Sequence, residues 1–66
     1  MLVLAKLRQI RERKGLSQTD LARLSGVAQA TISNLERGRP ARFVTMRELA
    51  KALGVEPEAL VGEGER

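Results

Sequence analysis

The chain has 66 residues, of which 42% are hydrophobic, and a formal net charge of +4, values that predict one small globular domain. It contains neither cysteine nor histidine, which excludes disulfides and thiolate chemistry and removes the commonest metal ligands, so we expect no metal and no cofactor. No apolar run approaches the roughly 18 residues of a membrane span, and we expect a cytoplasmic protein with no membrane partner.

Hydrophobic periodicity and capping residues predict four or five short helices and no strand. The first helix is expected at about residues 2–14, and the second at residues 18–25. Ser17 and Asp20 form a capping-box pattern that favours the start of the second helix. Gly26 favours the end of that helix, because glycine readily adopts the left-handed conformation found there.

Similar signals predict two more helices in the middle of the chain. The third is expected at about residues 28–37, followed by a loop at residues 39–44. Thr45 and Glu48 form a second capping-box pattern, so the fourth helix is expected to begin at Thr45 and to stop at Gly54.

The C-terminal part predicts a last short helix. Pro57 suits the first turn of a helix at residues 56–61, and residues 62–66 are expected to form a frayed tail. We therefore expect one all-α domain at residues 1–61.

Residues 18–37 carry the strongest motif. Two short helices joined by a tight turn that contains glycine are typical of a helix-turn-helix unit. An ordinary helical hairpin shares such a turn but not the spacing of the apolar residues that face the other helices. Those residues are Leu21, Ala22, Val27, Ile32 and Leu35.

Three motifs carry a resemblance to a known family. They are LSQTDLA at residues 16–22, SGV at 25–27 and TISNLERG at 31–38. Together they closely resemble the phage repressor/Cro-type helix-turn-helix family, and the resemblance continues through residues 49–55 to Leu60. It implies a compact five-helix domain that regulates transcription, expected to be a repressor, with the third helix in the major groove. It also implies homodimers on pseudo-palindromic double-stranded DNA operators. We expect no small-molecule substrate.

One departure from the family concerns the start of the third helix. Members often have Ser or Thr where this chain has Ala28. We expect a weaker cap there, at a cost of about 1 kcal/mol.

The distribution of charge and the low aromatic content both favour duplex DNA as the partner. Residues 1–14 carry five basic side chains against one glutamate, and residues 35–51 carry five against two. From residue 52 the balance reverses, with four glutamates against one arginine. Such charge suits a surface that binds a polyanion, although a solvated surface explains charge alone equally well. Phe43 is the only aromatic residue, which disfavours stacking on RNA or single strands and leaves duplex DNA.

The third helix predicts a face that reads bases. At about 100° per residue, Ala30, Ser33, Asn34 and Arg37 lie opposite Ile32 and Leu35, with Gln29 at the flank. Amides can bond adenine bidentately, and small side chains let a helix sit deep in a groove. A merely polar helix face is the alternative interpretation. The resemblance assigns base reading to Gln29, Ala30, Ser33 and Asn34.

Phosphate contacts are expected from residues around this face. Gln18 matches a family position whose side chain and helix amides hold a phosphate. The other expected phosphate contacts are Thr31, Arg37, Arg39 and Arg42. Each of Arg8, Arg13 and Lys14 is better explained as a solvated charge.

Arg11 has a structural explanation. It lies within the apolar stripe of the first helix, where a lone charge is costly. Glu36 is the only acid on the inner side of the third helix, and the family places a buried Arg–Glu pair at these two positions. We assign a structural role and no catalytic role to both residues, and we expect that the protein is not an enzyme.

Two further expectations concern protein partners. An alternative function is a protein-interaction module, such as an antitoxin or an anti-repressor partner, that also binds DNA. For the homodimer, the expected contact is the fifth helix with Val55, Leu60 and Val61. The competing interpretation is that these side chains complete the core of the monomer, which suits Leu60 best.

Overall fold

A computed structural model describes residues 1–62, which form five helices and one two-stranded sheet. The helices are α1 Leu7–Arg13, α2 Gln18–Ser25, α3 Gln29–Glu36, α4 Phe43–Leu53 and α5 Pro57–Val61. The strands, β1 Leu2–Val3 and β2 Pro40–Ala41, pair antiparallel with Leu2 opposite Ala41. The compact five-helix architecture is confirmed, and the prediction that there is no strand is wrong. Residues 63–66, most of the predicted tail, lie outside the described residues.

The first helix is shorter than predicted because the chain before it pairs as a strand. Leu2 and Val3 lie against β2, and α1 begins only at Leu7. Between them Leu4 is buried, and the backbone N–H of Lys6 donates to the carbonyl of Leu60 at 2.9 Å. A short apolar run fits a helix or a strand equally well, so periodicity did not separate the two.

The fourth helix begins two residues earlier than predicted. Arg42 has an extended backbone at the N-cap, and the N–H of Met46 already donates to the carbonyl of Arg42 at 3.0 Å. Thr45 therefore lies inside α4, and its predicted role as a cap is wrong. Most residues of the expected loop therefore lie in β2 or in the first turn of α4. Phe43 and Val44 are exposed in that first turn.

The start and the end of α2 are as predicted. The Ser17 hydroxyl accepts from the N–H of Asp20, and the Ser17 N–H donates to the Asp20 carboxylate, both at 3.0 Å. Gly26 ends the helix with a φ of 79°, a backbone conformation that residues other than glycine rarely adopt. The chain can therefore enter α3 after a turn of only three residues, 26–28.

One core joins all five helices. The most deeply buried side chains include Leu7, Leu21, Ile32, Leu49 and Leu60, one from each helix. Val27 lies in the corner between α2 and α3 and packs against this core, as predicted. Leu60 has no exposed surface, so it completes the core of the subunit and is not available to a second copy. Among residues 1–62, no helix has the length and apolar character needed to cross a membrane.

Candidate nucleic-acid interface

Helix α3 has one buried face and one exposed face. Ile32 and Leu35 are 0% and 4% exposed and attach the helix to the core. On the other side Gln29, Ala30 and Asn34 are exposed, and Ser33 is half-buried. The structure therefore brings the four predicted base-reading residues to one side of a rigidly packed helix.

The first turn of α3 lacks a side-chain cap. Ala28 occupies the N-cap position and offers no hydroxyl to the helix amides. Its carbonyl accepts from the N–H groups of Thr31 and Ile32 at 3.0 and 3.1 Å. The helix start therefore depends on backbone bonds and on the packing of its neighbours, as expected from the departure at this position.

A chain of polar side chains connects α1, α2 and the start of α3. Gln29 Nε2 donates to Gln18 Oε1 at 2.9 Å, and Gln18 Nε2 donates to Glu36 Oε1 at 3.1 Å. The Gln18 amide thus accepts on one atom and donates on the other, so its two neighbours set its orientation. Sequence reasoning assigned separate roles to these residues and missed the link between Gln18 and Gln29.

This series of hydrogen-bonded side chains ends at a buried ion pair. Arg11 donates to Glu36 in a bidentate arrangement, from Nε to Oε2 at 2.7 Å and from Nη2 to Oε1 at 3.0 Å. The two side chains are 9% and 5% exposed. Arg11 Nη1 also donates to the carbonyl of Leu16 at 2.7 Å, which attaches the loop before α2 to the same pair. Among residues 1–62, every buried side-chain nitrogen and oxygen has a hydrogen-bond partner.

Both members of this pair are charged at neutral pH. Burial raises the pKa of Glu36, but hydrogen bonds from Arg11 and Gln18 and the Arg11 charge outweigh it and hold the pKa below its ordinary value. The hydrogen bond to Glu36 raises the pKa of Arg11, although burial opposes it. An ionised pair with such geometry is a fixed connection between α1 and α3.

Exposed cations follow α3 along the chain. Arg37 forms the C-cap of α3, and the backbone N–H of Arg39 donates to the carbonyl of Asn34 at 3.2 Å. Arg42 forms the N-cap of α4 and lines a shallow cleft of about 320 Å³ together with Thr31. In the described part of the chain none of these three arginines forms an ion pair. The three arginines that were predicted to contact phosphate are therefore exposed and follow α3 directly in the chain.

No group of carboxylates within residues 1–62 is arranged to hold a metal ion. The chemistry that this surface offers is hydrogen bonding by amides and hydroxyls, together with positive charge at its edges.

Comparisons with known proteins cover most of the chain. The family model HTH_3, described as Helix-turn-helix, matches residues 7–60. An uncharacterized HTH-type transcriptional regulator of Sinorhizobium fredii, y4dJ, is 43% identical over 61 residues, which cover 91% of this chain and 79% of that protein. Repressor protein C of Rhizobium phage 16-3 is 41% identical over 49 residues, which cover 74% of this chain and 19% of the repressor.

The fold is also similar to that of a solved structure. The restriction-modification controller protein C.AhdI from Aeromonas hydrophila superposes with a TM-score of 0.81 at 41% identity. The superposition covers 89% of this chain and 92% of the controller protein.

Proposed function

This chain belongs to the helix-turn-helix family of DNA-binding transcriptional regulators, and we propose that it binds a specific duplex sequence as a dimer with α3 in the major groove. The observation that carries the proposal is the exposed face of α3, with Gln29 held at its start by Gln18.

The side chains on this face suit the floor of the major groove. Ala30 and Ser33 are small, so the helix can approach the base edges closely. A methyl group at Ala30 can contact the methyl of thymine, and the amides of Gln29 and Asn34 can bond adenine. Solubility alone favours charged residues on such a face. The four side chains therefore read bases in this proposal.

The hydrogen bonds of Gln29 leave it able to read adenine. One N–H of its amide is used by Gln18, which leaves a second N–H and the oxygen. Adenine requires one donor to its N7 and one acceptor from its N6 amino group. Because Gln18 is fixed in turn by Glu36, the side chain of Gln29 loses little rotamer freedom on binding.

Phosphate contacts position α3 in this proposal. Gln18 keeps one free N–H at the start of α2, a helix end whose dipole favours an anion. Thr31 and Arg42 share a cleft, and Arg37 and Arg39 lie between them along the chain. Such contacts strengthen binding to any duplex and fix the register without reading bases. We propose repression as the outcome, on the similarity to Repressor protein C.

The function is tested by a matched pair of glutamine variants. Gln29→Ala is expected to weaken binding to the cognate duplex by about 1–3 kcal/mol and to change binding to random duplex little. Gln9→Ala removes the same amide from an exposed position on α1 and is the control, with no expected effect. Fluorescence anisotropy on both duplexes measures the six affinities of the wild type and the two variants. An equal loss on cognate and random DNA for Gln29→Ala contradicts base reading by this residue.

Protein binding through α3 is the less favoured candidate. A helix that docks on a protein presents large apolar side chains, and α3 exposes none of them among its residues 29–36. The large exposed apolar residues of the described chain are Met1, Leu2, Val3, Leu24, Phe43 and Val44.

A further inference from the structure

The amide of Gln18 has one fixed orientation between α2 and α3. Its Nε2 donates to Glu36 Oε1 at 3.1 Å, and its Oε1 accepts from Gln29 Nε2 at 2.9 Å. An ionised carboxylate can only accept hydrogen bonds, so Gln18 must turn its NH2 group towards Glu36. The oxygen of Gln18 therefore faces Gln29.

The carboxylate that sets this orientation is itself fixed. Arg11 donates to both of its oxygens, at 2.7 and 3.0 Å, and the Glu36 side chain is only 5% exposed. A reversed Gln18 amide places its oxygen against Glu36 Oε1, where two acceptors face each other with no proton between them. Leaving a hydrogen bond unmade at a buried charged group is costly, so the reversed orientation is disfavoured.

The orientation of Gln18 decides which groups Gln29 offers to a base. Because Gln18 presents an oxygen, Gln29 uses one N–H there and retains its other N–H and its oxygen. In the major groove adenine presents an acceptor, N7, and a donor, its N6 amino group, whereas guanine presents two acceptors, N7 and O6. The groups that Gln29 retains match adenine and set oxygen against oxygen at guanine.

A reversed Gln18 amide has the opposite effect. It presents an N–H to Gln29, whose oxygen then accepts and whose two N–H groups are both left for the base. Two donors match the two acceptors of guanine. The choice between the two purines is thus linked to the direction in which the Gln18 amide points.

We propose that Glu36 is a positioning residue for base selection: acting through Gln18, its carboxylate holds the Gln29 amide in the orientation that accepts adenine and rejects guanine. The proposal rests on the proposed function, because it requires Gln29 to face a base in the major groove. Glu36 is the last residue of α3 and acts without touching DNA. The ion pair with Arg11 then has a second role besides connecting α1 to α3.

Two variants that break the connection test this role. Gln18→Met keeps an unbranched side chain but has no amide, and Arg11→Met with Glu36→Leu keeps both glutamines but removes the carboxylate. The probes are two duplexes of the selected consensus that differ only at the position whose preference Gln29→Ala loses, one with adenine and one with guanine in each half-site. Fluorescence anisotropy measures the affinities with random duplex as the reference, and circular dichroism verifies that each variant is folded.

The wild type is expected to bind the adenine duplex at least about tenfold more tightly than the guanine duplex. Both variants are expected to reduce this preference to about threefold or less, with binding to the guanine duplex strengthened relative to random duplex. Loss of a phosphate contact at Gln18 weakens all duplexes alike and cancels in the ratio. Ile10→Val is the control, because it removes a buried methyl group from α1 and none of these hydrogen bonds, and it is expected to leave the ratio unchanged.

The possible results separate this proposal from the proposed function. A wild type that selects guanine or a pyrimidine at the position read by Gln29 overturns the proposal, and so does an adenine preference that either variant retains. Both results leave base reading by α3 intact. If Gln29→Ala changes no position of the consensus, Gln29 does not read a base, and the proposed role of Glu36 is wrong together with that part of the proposed function.

Discussion

Arg11→Ala is expected to lower the free energy of unfolding by about 3–5 kcal/mol, because it leaves a buried carboxylate without its partner. The Glu36 side chain is only 5% exposed and receives two hydrogen bonds from Arg11. The substitution also removes the bond to the carbonyl of Leu16. A domain this small has only a few kcal/mol of total stability, so urea titration is expected to find little or no folded variant at 25 °C.

A matched arginine provides the control for this loss. Arg8→Ala removes an exposed arginine from the same helix, where it pairs with Glu12 at 3.1 Å. Such a surface pair contributes less than about 1 kcal/mol, so the midpoint of the titration is expected to move little. If Arg11→Ala costs no more than Arg8→Ala, the buried pair is not what connects α1 to α3.

A double replacement separates the pair from its surroundings. Arg11→Met with Glu36→Leu removes both charges, so its cost is expected to be less than the sum of the two single losses. Additive losses contradict coupling between the two residues.

The stability of the wild type is also expected to depend on pH. Because folding lowers the pKa of Glu36, the stabilisation by the ion pair is present above the ordinary Glu36 pKa of 4.5. It is lost as the pH falls through the pKa of Glu36 in the folded protein.

DNA binding is expected to weaken by about three orders of magnitude between 50 and 200 mM salt. With arginine phosphate contacts from Arg37, Arg39 and Arg42 in each subunit, a dimer releases enough counterions for a slope of about −5 in log K against log salt. Arg39→Ala is expected to make the slope shallower by about 2 for the dimer and to weaken all duplexes alike. Anisotropy titrations at several salt concentrations measure both quantities, and a slope close to zero contradicts the electrostatic account.

Local signals in the sequence predicted the centre of the fold well. The capping box at Ser17 and Asp20 and the left-handed Gly26 need only neighbours a few residues away, so the bounds of α2 could be derived from them. The burial of Ile32 and Leu35 followed from helical periodicity.

Contacts between distant parts of the chain could not be derived in this way. The strand at Leu2–Val3 exists because residues 40–41 lie beside it, and no local pattern indicates that partner. After this pairing, α4 begins at Phe43, earlier than predicted. Phe43, which was predicted to lie in a loop, is exposed in the first turn of that helix.

The same distinction between local signals and distant contacts applies to the candidate site. The exposed face of α3 could be predicted from the angle between its residues, and the resemblance supplied the pairing of Arg11 with Glu36. The bond between Gln18 and Gln29 depends on how α2 and α3 are placed relative to each other, so no spacing in the sequence reveals it.

Selection of bound duplexes from a random pool tests most directly whether α3 reads DNA bases. The wild type and the double variant Gln29→Ala with Asn34→Ala are taken through the same selection, with Gln9→Ala as the control. We expect the wild type and the control to return one common two-fold consensus, and the double variant to lose or change the positions that the two amides read. If the double variant returns the wild-type consensus, α3 does not select the sequence and the proposed mode of recognition is wrong.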